Sequence, residues 1–181
     1  SSDDVIVNAA SGSGTLTIAA TSTCSSLNTS AFTGTLAGAS ALNIVSAAST
    51  GATVLSLGGT HSYTGTITIS GSAVNGIILA NGKSHGGAVT INTTTGSFVF
   101  NDLFTCTGTF TLTAGNISGA NISVGNLAST NSNTRSFIFT NLYISGAQAG
   151  LINTNIQTNL SWVVDSVYLT NTTATTKSLS A

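Results

Sequence analysis

A short strand-like unit recurs along the whole chain, and this repeat constrains the fold more than any other feature. Each unit has four residues with apolar side chains at its second and fourth positions, and units start at residues 15, 41, 66, 88, 109, 136 and 161. A second series of apolar units starts between them, at residues 54, 77, 98, 122, 142 and 167. Two strand series with one shared period are typical of a chain that coils so that each turn stacks on the previous one.

The composition favours strands over helices. The chain has no Met and no Pro, its four acidic residues are all Asp, and Thr, Ser, Asn and Gly dominate. Thr, Val, Ile and Phe suit a pleated surface, while Asn and Gly suit tight turns. We therefore predict an all-β protein, a single-domain parallel β-solenoid (β-helix) of about seven rungs over residues 1–181. A β-sandwich or jelly roll is the alternative, because it also has short strands separated by turns.

In a solenoid the alternation within each unit sets which side chains face the interior. The expected inward residues of the first series form aliphatic columns, and they are Leu16, Ile18, Leu42, Ile44, Ile67, Ile69, Val89, Ile91, Phe110 and Leu112. The outward positions are mostly Thr, with Ala41, Asn43 and Ala88 among them. A flat array of Thr hydroxyls predicts either an ordinary exposed β-surface or one that orders water, as an ice-binding protein does.

Charge and hydropathy exclude several classes of partner. Only three residues are Lys or Arg and the net charge is -1, so the chain lacks the basic footprint of a nucleic-acid binder. No apolar run approaches the ~20 residues of a transmembrane helix, so we expect no membrane partner. Cys24 and Cys106 are the two cysteines. We favour buried free thiols over a disulfide for them, without excluding the disulfide.

The titratable side chains predict no catalytic site. Acid–base chemistry needs paired carboxylates or a His with an orienting partner. Asp102 and Asp165 each follow a predicted strand on well-separated units, so we expect both to be turn residues. His61 and His85 lie one period apart and make a conceivable metal pair, but two His alone do not form a closed zinc site. We expect no enzyme activity, no cofactor and no metal.

Residues 136–181 differ from the rest of the chain because apolar side chains also occupy outward positions. Contiguous exposed apolar surface usually marks an interface. We predict an interface-bearing C-terminal part with six candidate residues: Phe137, Ile138, Tyr143, Trp162, Val163 and Tyr168.

The stretch from Asp3 to Ile18, with its Ser11-Gly12-Ser13-Gly14 turn, resembles repeats of tailed-bacteriophage virion proteins. Cys24–Leu27, Phe32–Leu36, Phe110–Asn116 and Ser132–Arg135 are similar to the same type. The resemblance implies a structural role on a virion surface, as a capsid decoration (cement) protein or a fibre segment, and it implies no catalytic residue. The expected partners are further copies of the chain and a capsid or tail protein.

Two other hypotheses remain. Bacterial surface adhesins carry similar repeats, so an extracellular adhesin or glycan-binding module is the main alternative; it would need an exposed aromatic platform, for which Trp162, Tyr143 and Tyr168 are candidates. An ice-binding protein is the third hypothesis. The start of the sequence shows no secretion-signal pattern, which favours the virion over the adhesin.

Overall fold

The protein is a parallel β-solenoid of about six turns, described by a computed structural model. The structure describes residues 3–8, 12–129, 135–145 and 160–169. Every pairing between neighbouring strands is parallel, and the described residues contain no helix. The predicted solenoid is therefore confirmed, and the sandwich, which needs antiparallel neighbours, is wrong. Within these ranges no helix is long and apolar enough to span a membrane.

Fifteen strands lie in the described part of the solenoid. They are β1 (Asp4–Ile6), β2 (Thr15–Ile18), β3 (Ser22–Cys24), β4 (Ser26–Asn28), β5 (Thr35–Gly38), β6 (Leu42–Ser46), β7 (Thr53–Ser56), β8 (Thr60–His61), β9 (Ile67–Gly71), β10 (Gly76–Leu79), β11 (Ser84–His85), β12 (Val89–Phe100), β13 (Phe104–Ser129), β14 (Arg135–Ile144) and β15 (Leu160–Leu169). The last four are long because they continue around corners of the solenoid.

Each turn has three faces. Face A consists of β1, β4, β7 and β10, followed by residues 97–100, 116–119, 135–139 and 160–164. Face B consists of β3, β6 and β9, followed by residues 89–91 and 110–112. Face C consists of β2, β5, β8 and β11, followed by residues 105–106, 121–124, 141–144 and 166–169. The sequence predicted only two series of strands.

Face B contains the aliphatic columns that the sequence predicted. Leu42, Ile67, Val89 and Phe110 are successive partners in the ladder, and so are Ile44, Ile69, Ile91 and Leu112. All eight side chains are buried. Each inward side chain therefore packs on a similar side chain above and below, which gives the core a repeating contact at every turn.

The assignment of some units to series was wrong. Leu16 and Ile18 pair with Leu36 and Gly38 on face C, not with the Leu42 column, and they are only partly buried. The units that start at residues 136 and 161 belong to face A rather than face B, and the units that start at 122, 142 and 167 belong to face C. The reason is that β8 and β11 have two residues each, too few to indicate a strand in the sequence.

Close backbone contact fixes the corner between faces C and B. A Cβ atom on Gly65 would lie 2.1 Å from the Ser40 carbonyl oxygen, and one on Gly87 would lie 2.3 Å from the Thr64 carbonyl oxygen. The column continues through Gly108, where a Cβ would lie 2.5 Å from the Gly87 oxygen. Only glycine allows successive turns to stack at this corner.

Candidate functional site

A row of mostly apolar side chains, with Ser118 at its centre, runs along the outside of face A. Ile77, Val99, Ser118, Ile138 and Val163 are successive partners in the ladder. Ile138 is 43% exposed and Val163 is 49% exposed, while Ile77 and Val99 are half-buried. We call these five residues the apolar stripe. Four ladder steps of about 4.8 Å make it roughly 19 Å long.

The apolar stripe contains two of the six predicted interface residues and adds two that sequence reasoning missed. Ile138 and Val163 are ladder partners on it, and their place in an interface stays a prediction. Ile77 and Val99 were missed, although each sits in a run of three apolar residues, Ile77-Ile78-Leu79 and Phe98-Val99-Phe100. Such a run places one apolar side chain outward on a strand, and this was the signal that would have found them.

The other predicted interface residues lie elsewhere. Phe137 points into the core and is 1% exposed, so it cannot contribute to an outer surface; its ring contacts Phe139 with centroids 4.6 Å apart. The backbone of Trp162 pairs with Phe137 in the ladder, and its side chain lies outside the described part. Because inward and outward positions alternate, Phe137 and Ile138 could not both have been surface residues.

Tyr143 and Tyr168 lie on face C, around a corner from the apolar stripe. They are ladder partners, and their rings stack with centroids 4.8 Å apart and planes 13° apart. Stacking covers one face of each ring, and Tyr168 remains 45% exposed. Beside them the Asn141 amide donates to the Asn121 side-chain oxygen at 2.8 Å, which links two successive turns.

Face B presents the hydroxyl array. Thr68, Thr90 and Thr111 are successive ladder partners with Asn43 and Thr23 continuing the row. A second row beside it, two residues earlier in each turn, has Thr66, Ala88 and Thr109. Thr15 and Thr17, which the sequence placed in this array, lie on face C instead.

The two histidines meet inside face C. His61 Nε2 lies 3.2 Å from His85 Nδ1, so one ring donates a hydrogen bond to the other. His85 is fully buried, and neither His61 Nδ1 nor His85 Nε2 has a partner among the described residues. Burial lowers the pKa of His61 to about 4, with further lowering from His85 and Lys83. Burial also lowers the pKa of His85, against the opposing effect of the Ala88, Gly65 and Tyr63 backbone.

The acidic side chains do not gather around this pair. Asp102 accepts hydrogen bonds from the backbone N–H groups of Ala80 at 2.8 Å and Asn81 at 2.6 Å, so it is a turn residue as predicted. Asp165 lies within β15 rather than after a strand, at an exposed corner. Three ladder steps separate the two corners. In the described part of the chain no three His, Cys, Asp or Glu side chains are placed to hold a metal ion.

The two thiols are far from one another in the ladder. Cys24 lies on face B in the first turn and Cys106 lies on face C beside His85. Both are free and buried, in agreement with the interpretation that the sequence favoured. Burial raises the pKa of each thiol to about 11.

The first described turn of the solenoid borders a cleft. This cleft of about 230 Å³ lies among apolar side chains, including Val5, Leu16, Ile18 and Leu27. Ile6 in β1 is 67% exposed. No turn lies below the first one in the described ranges, so its inward side chains lack the lower neighbour that the Leu42 and Ile44 columns have.

No protein-family model, no curated protein and no solved structure matches this chain. The residues that carry an interpretation of function are therefore those of the three faces themselves.

Proposed function

We propose that this protein is a non-enzymatic structural protein whose rigid solenoid self-associates through the apolar stripe of face A. The observation that carries the proposal is the direct alignment of Ile138 with Val163 and of Ile77 with Val99 on one flat face. Exposed apolar side chains such as Ile138 and Val163 favour association, because covering them removes apolar surface from water. Ser118 separates this pair from Ile77 and Val99 in the row. A parallel ladder with eight strands on face A provides a stiff support for such a contact.

The proposed setting is a virion surface, where the protein is a capsid decoration (cement) protein or a fibre segment that also contacts a capsid or tail protein. The resemblance of the repeats to tailed-phage virion proteins supports this setting. The scarcity of charge, 4% of residues, also supports it, because such a surface packs against neighbours with little electrostatic repulsion. Quantitative mass spectrometry of purified particles from the source tests it: a fixed number of copies per particle is expected, and absence from the particles contradicts the setting.

Sedimentation velocity tests the self-association. We expect the unmodified chain to form a defined oligomer and Ile138→Lys to sediment as a monomer, because a charge in the apolar stripe resists burial. Thr90→Lys places the same charge on face B, away from the apolar stripe and at a half-buried position, and leaves the oligomer intact. A monomeric unmodified chain, or an oligomer that Ile138→Lys leaves unchanged, contradicts the proposed interface.

A second candidate function, ice binding, is supported by the aligned Thr68, Thr90 and Thr111 of face B. Regular hydroxyls on a rigid sheet hold water at a spacing set by the ladder, about 4.8 Å along the solenoid. The same two variants separate the functions: a thermal-hysteresis measurement should lose its signal in Thr90→Lys and keep it in Ile138→Lys. No hysteresis in the unmodified chain rules out this candidate and leaves the structural proposal untouched.

A further inference from the structure

Arg135 at the start of β14 is the one arginine of the sequence and is 1% exposed. Its backbone lies in the face A ladder between Gly115 and Leu160. Its side chain is on the same side of the strand as those of Phe137 and Phe139, which is the core side. A buried guanidinium at this place requires a counter-charge.

The guanidinium has no such partner in the described structure. Its Nε, Nη1 and Nη2 atoms are all buried and make no hydrogen bond with the described residues. Burial lowers the pKa of Arg135, but an arginine side chain keeps its charge in proteins. An unpaired buried charge is strongly destabilising, so a group that accepts these N–H bonds would stabilise the fold.

The chain's acidic side chains do not supply that group. All four acidic side chains of the sequence lie in the described ranges. Asp3 and Asp4 are at the opposite end of the face A ladder, Asp102 binds the Ala80 and Asn81 backbone, and Asp165 is exposed at a corner of β15. The counter-charge therefore comes from outside the set of acidic side chains.

We propose that Arg135 anchors a buried site for a small oxyanion of the phosphate, sulfate or carboxylate class. A guanidinium recognises such a group through parallel N–H···O bonds. The ligand is small because a side chain that is 1% exposed offers no opening to a macromolecule. This inference is independent of the proposed self-association, since Ile138 and Val163 point outward from the same strands.

Retention of labelled anion on refolding tests the site directly. The unmodified chain is refolded with labelled phosphate, sulfate or acetate in separate samples and then desalted, and close to one anion per chain is expected for at least one of them. Comparison of the three samples shows which of the three anions the protein retains. Arg135→Met should retain none, and Lys83→Met, which removes a cation from a partly exposed position, should retain as much as the unmodified chain. No retention of any of the three anions by the unmodified chain overturns the proposal.

A thermal measurement gives a second readout. At a hundredfold excess over its Kd, the retained anion should raise Tm by about 5–10 °C relative to chloride at equal ionic strength. The rise is expected in the unmodified chain and in Lys83→Met but not in Arg135→Met. An equal rise in Arg135→Met overturns the proposal. Should that variant fail to refold, the anion count on the unmodified chain decides the question.

Discussion

His61 and His85 lie on adjacent turns with His61 Nε2 3.2 Å from His85 Nδ1, so the two imidazoles share one hydrogen bond inside face C. This bond needs one donor and one acceptor nitrogen. When both rings are protonated, every ring nitrogen carries a proton and the two facing N–H groups repel. The pair is therefore compatible with the folded state only while at least one ring is neutral.

Acid should destabilise the solenoid through this pair. The folded-state pKa of His61 is lowered to about 4 and that of His85 is also lowered, whereas both titrate near 6.5 in the unfolded chain. The unfolded state then binds more protons below about pH 6.5, so stability is complete above that pH and is lost as pH falls toward about 4. The slope approaches about 1.4 kcal/mol per pH unit for each titrating His.

Urea unfolding between pH 8 and pH 4 measures this dependence. The matched control is the double variant His61→Leu, His85→Leu, which replaces the pair with apolar side chains and should flatten the curve in this range. Equal pH dependence in the variant and the unmodified chain would show that other groups cause the acid sensitivity.

Two consecutive residues of β12 on face B, one outward and one inward, allow the contribution of core packing to stability to be measured separately from that of strand propensity. Ile91 is fully buried between Ile69 and Leu112 in its column. Ile91→Ala should lower the free energy of unfolding by about 2–5 kcal/mol, because it leaves a cavity between two turns. Thr90→Ala changes the outward neighbour and should cost about 0.5 kcal/mol or less. Urea denaturation of both variants checks the difference, and equal losses would mean that Ile91 is not a core residue.

The sequence was sufficient for the central part of face B, because inward aliphatic and outward polar residues alternate there from Leu42 to Ile44 and from Ile67 to Ile69. It was insufficient for face C. The strand Ser84–His85 places a histidine inward, and two polar residues in a short strand have the composition of a turn. Long-range stacking on the neighbouring turn, rather than local preference, makes these residues a strand.

The candidate site was only partly predictable for a related reason. Apolar residues at outward positions drew attention to Ile138 and Val163, but their alignment with Val99 and Ile77 depends on register between turns of unequal length. The spacing within the chain does not determine that register. Arg135 was not singled out because nothing local in the sequence indicates that a charged residue is buried.

The corner between faces C and B, where Gly65, Gly87 and Gly108 lie, should not tolerate the methyl group of an alanine. A Cβ on Gly87 would lie 2.3 Å from the Thr64 carbonyl oxygen and 2.6 Å from that of Gly65. Since both contacts are with backbone, the turns must move apart, and Gly87→Ala should lose about 1–3 kcal/mol or more. Gly14→Ala is the control, because a Cβ there meets nothing within 4 Å. Its stability should be unchanged or higher by about 0.4–1 kcal/mol; a Gly87→Ala variant as stable as Gly14→Ala would rule out the tight corner.

The cysteines should be unreactive in the folded protein. Cys106 is fully buried, its thiol lies 3.1 Å from the Gly87 carbonyl oxygen, and its pKa is raised to about 11. The reactive thiolate is therefore scarce at pH 8 and is shielded from reagents. Cys24 has a similarly raised pKa, but β3 pairs with β6 alone among the described strands. Strands at the end of a solenoid open more readily than central ones, because they have a neighbour on one side only.

We therefore expect a thiol reagent at pH 8 to label neither cysteine in native protein, Cys24 first as urea is added, and both after complete unfolding. Peptide mapping of the labelled chain distinguishes the two sites. Labelling of Cys106 before Cys24 would contradict the view that the first turn is the weaker end. A cross-linked Cys24–Cys106 peptide recovered without reductant would contradict the ladder itself, because the two residues lie on different faces and several turns apart, beyond the Cα separation of roughly 4.4–6.8 Å that a disulfide spans.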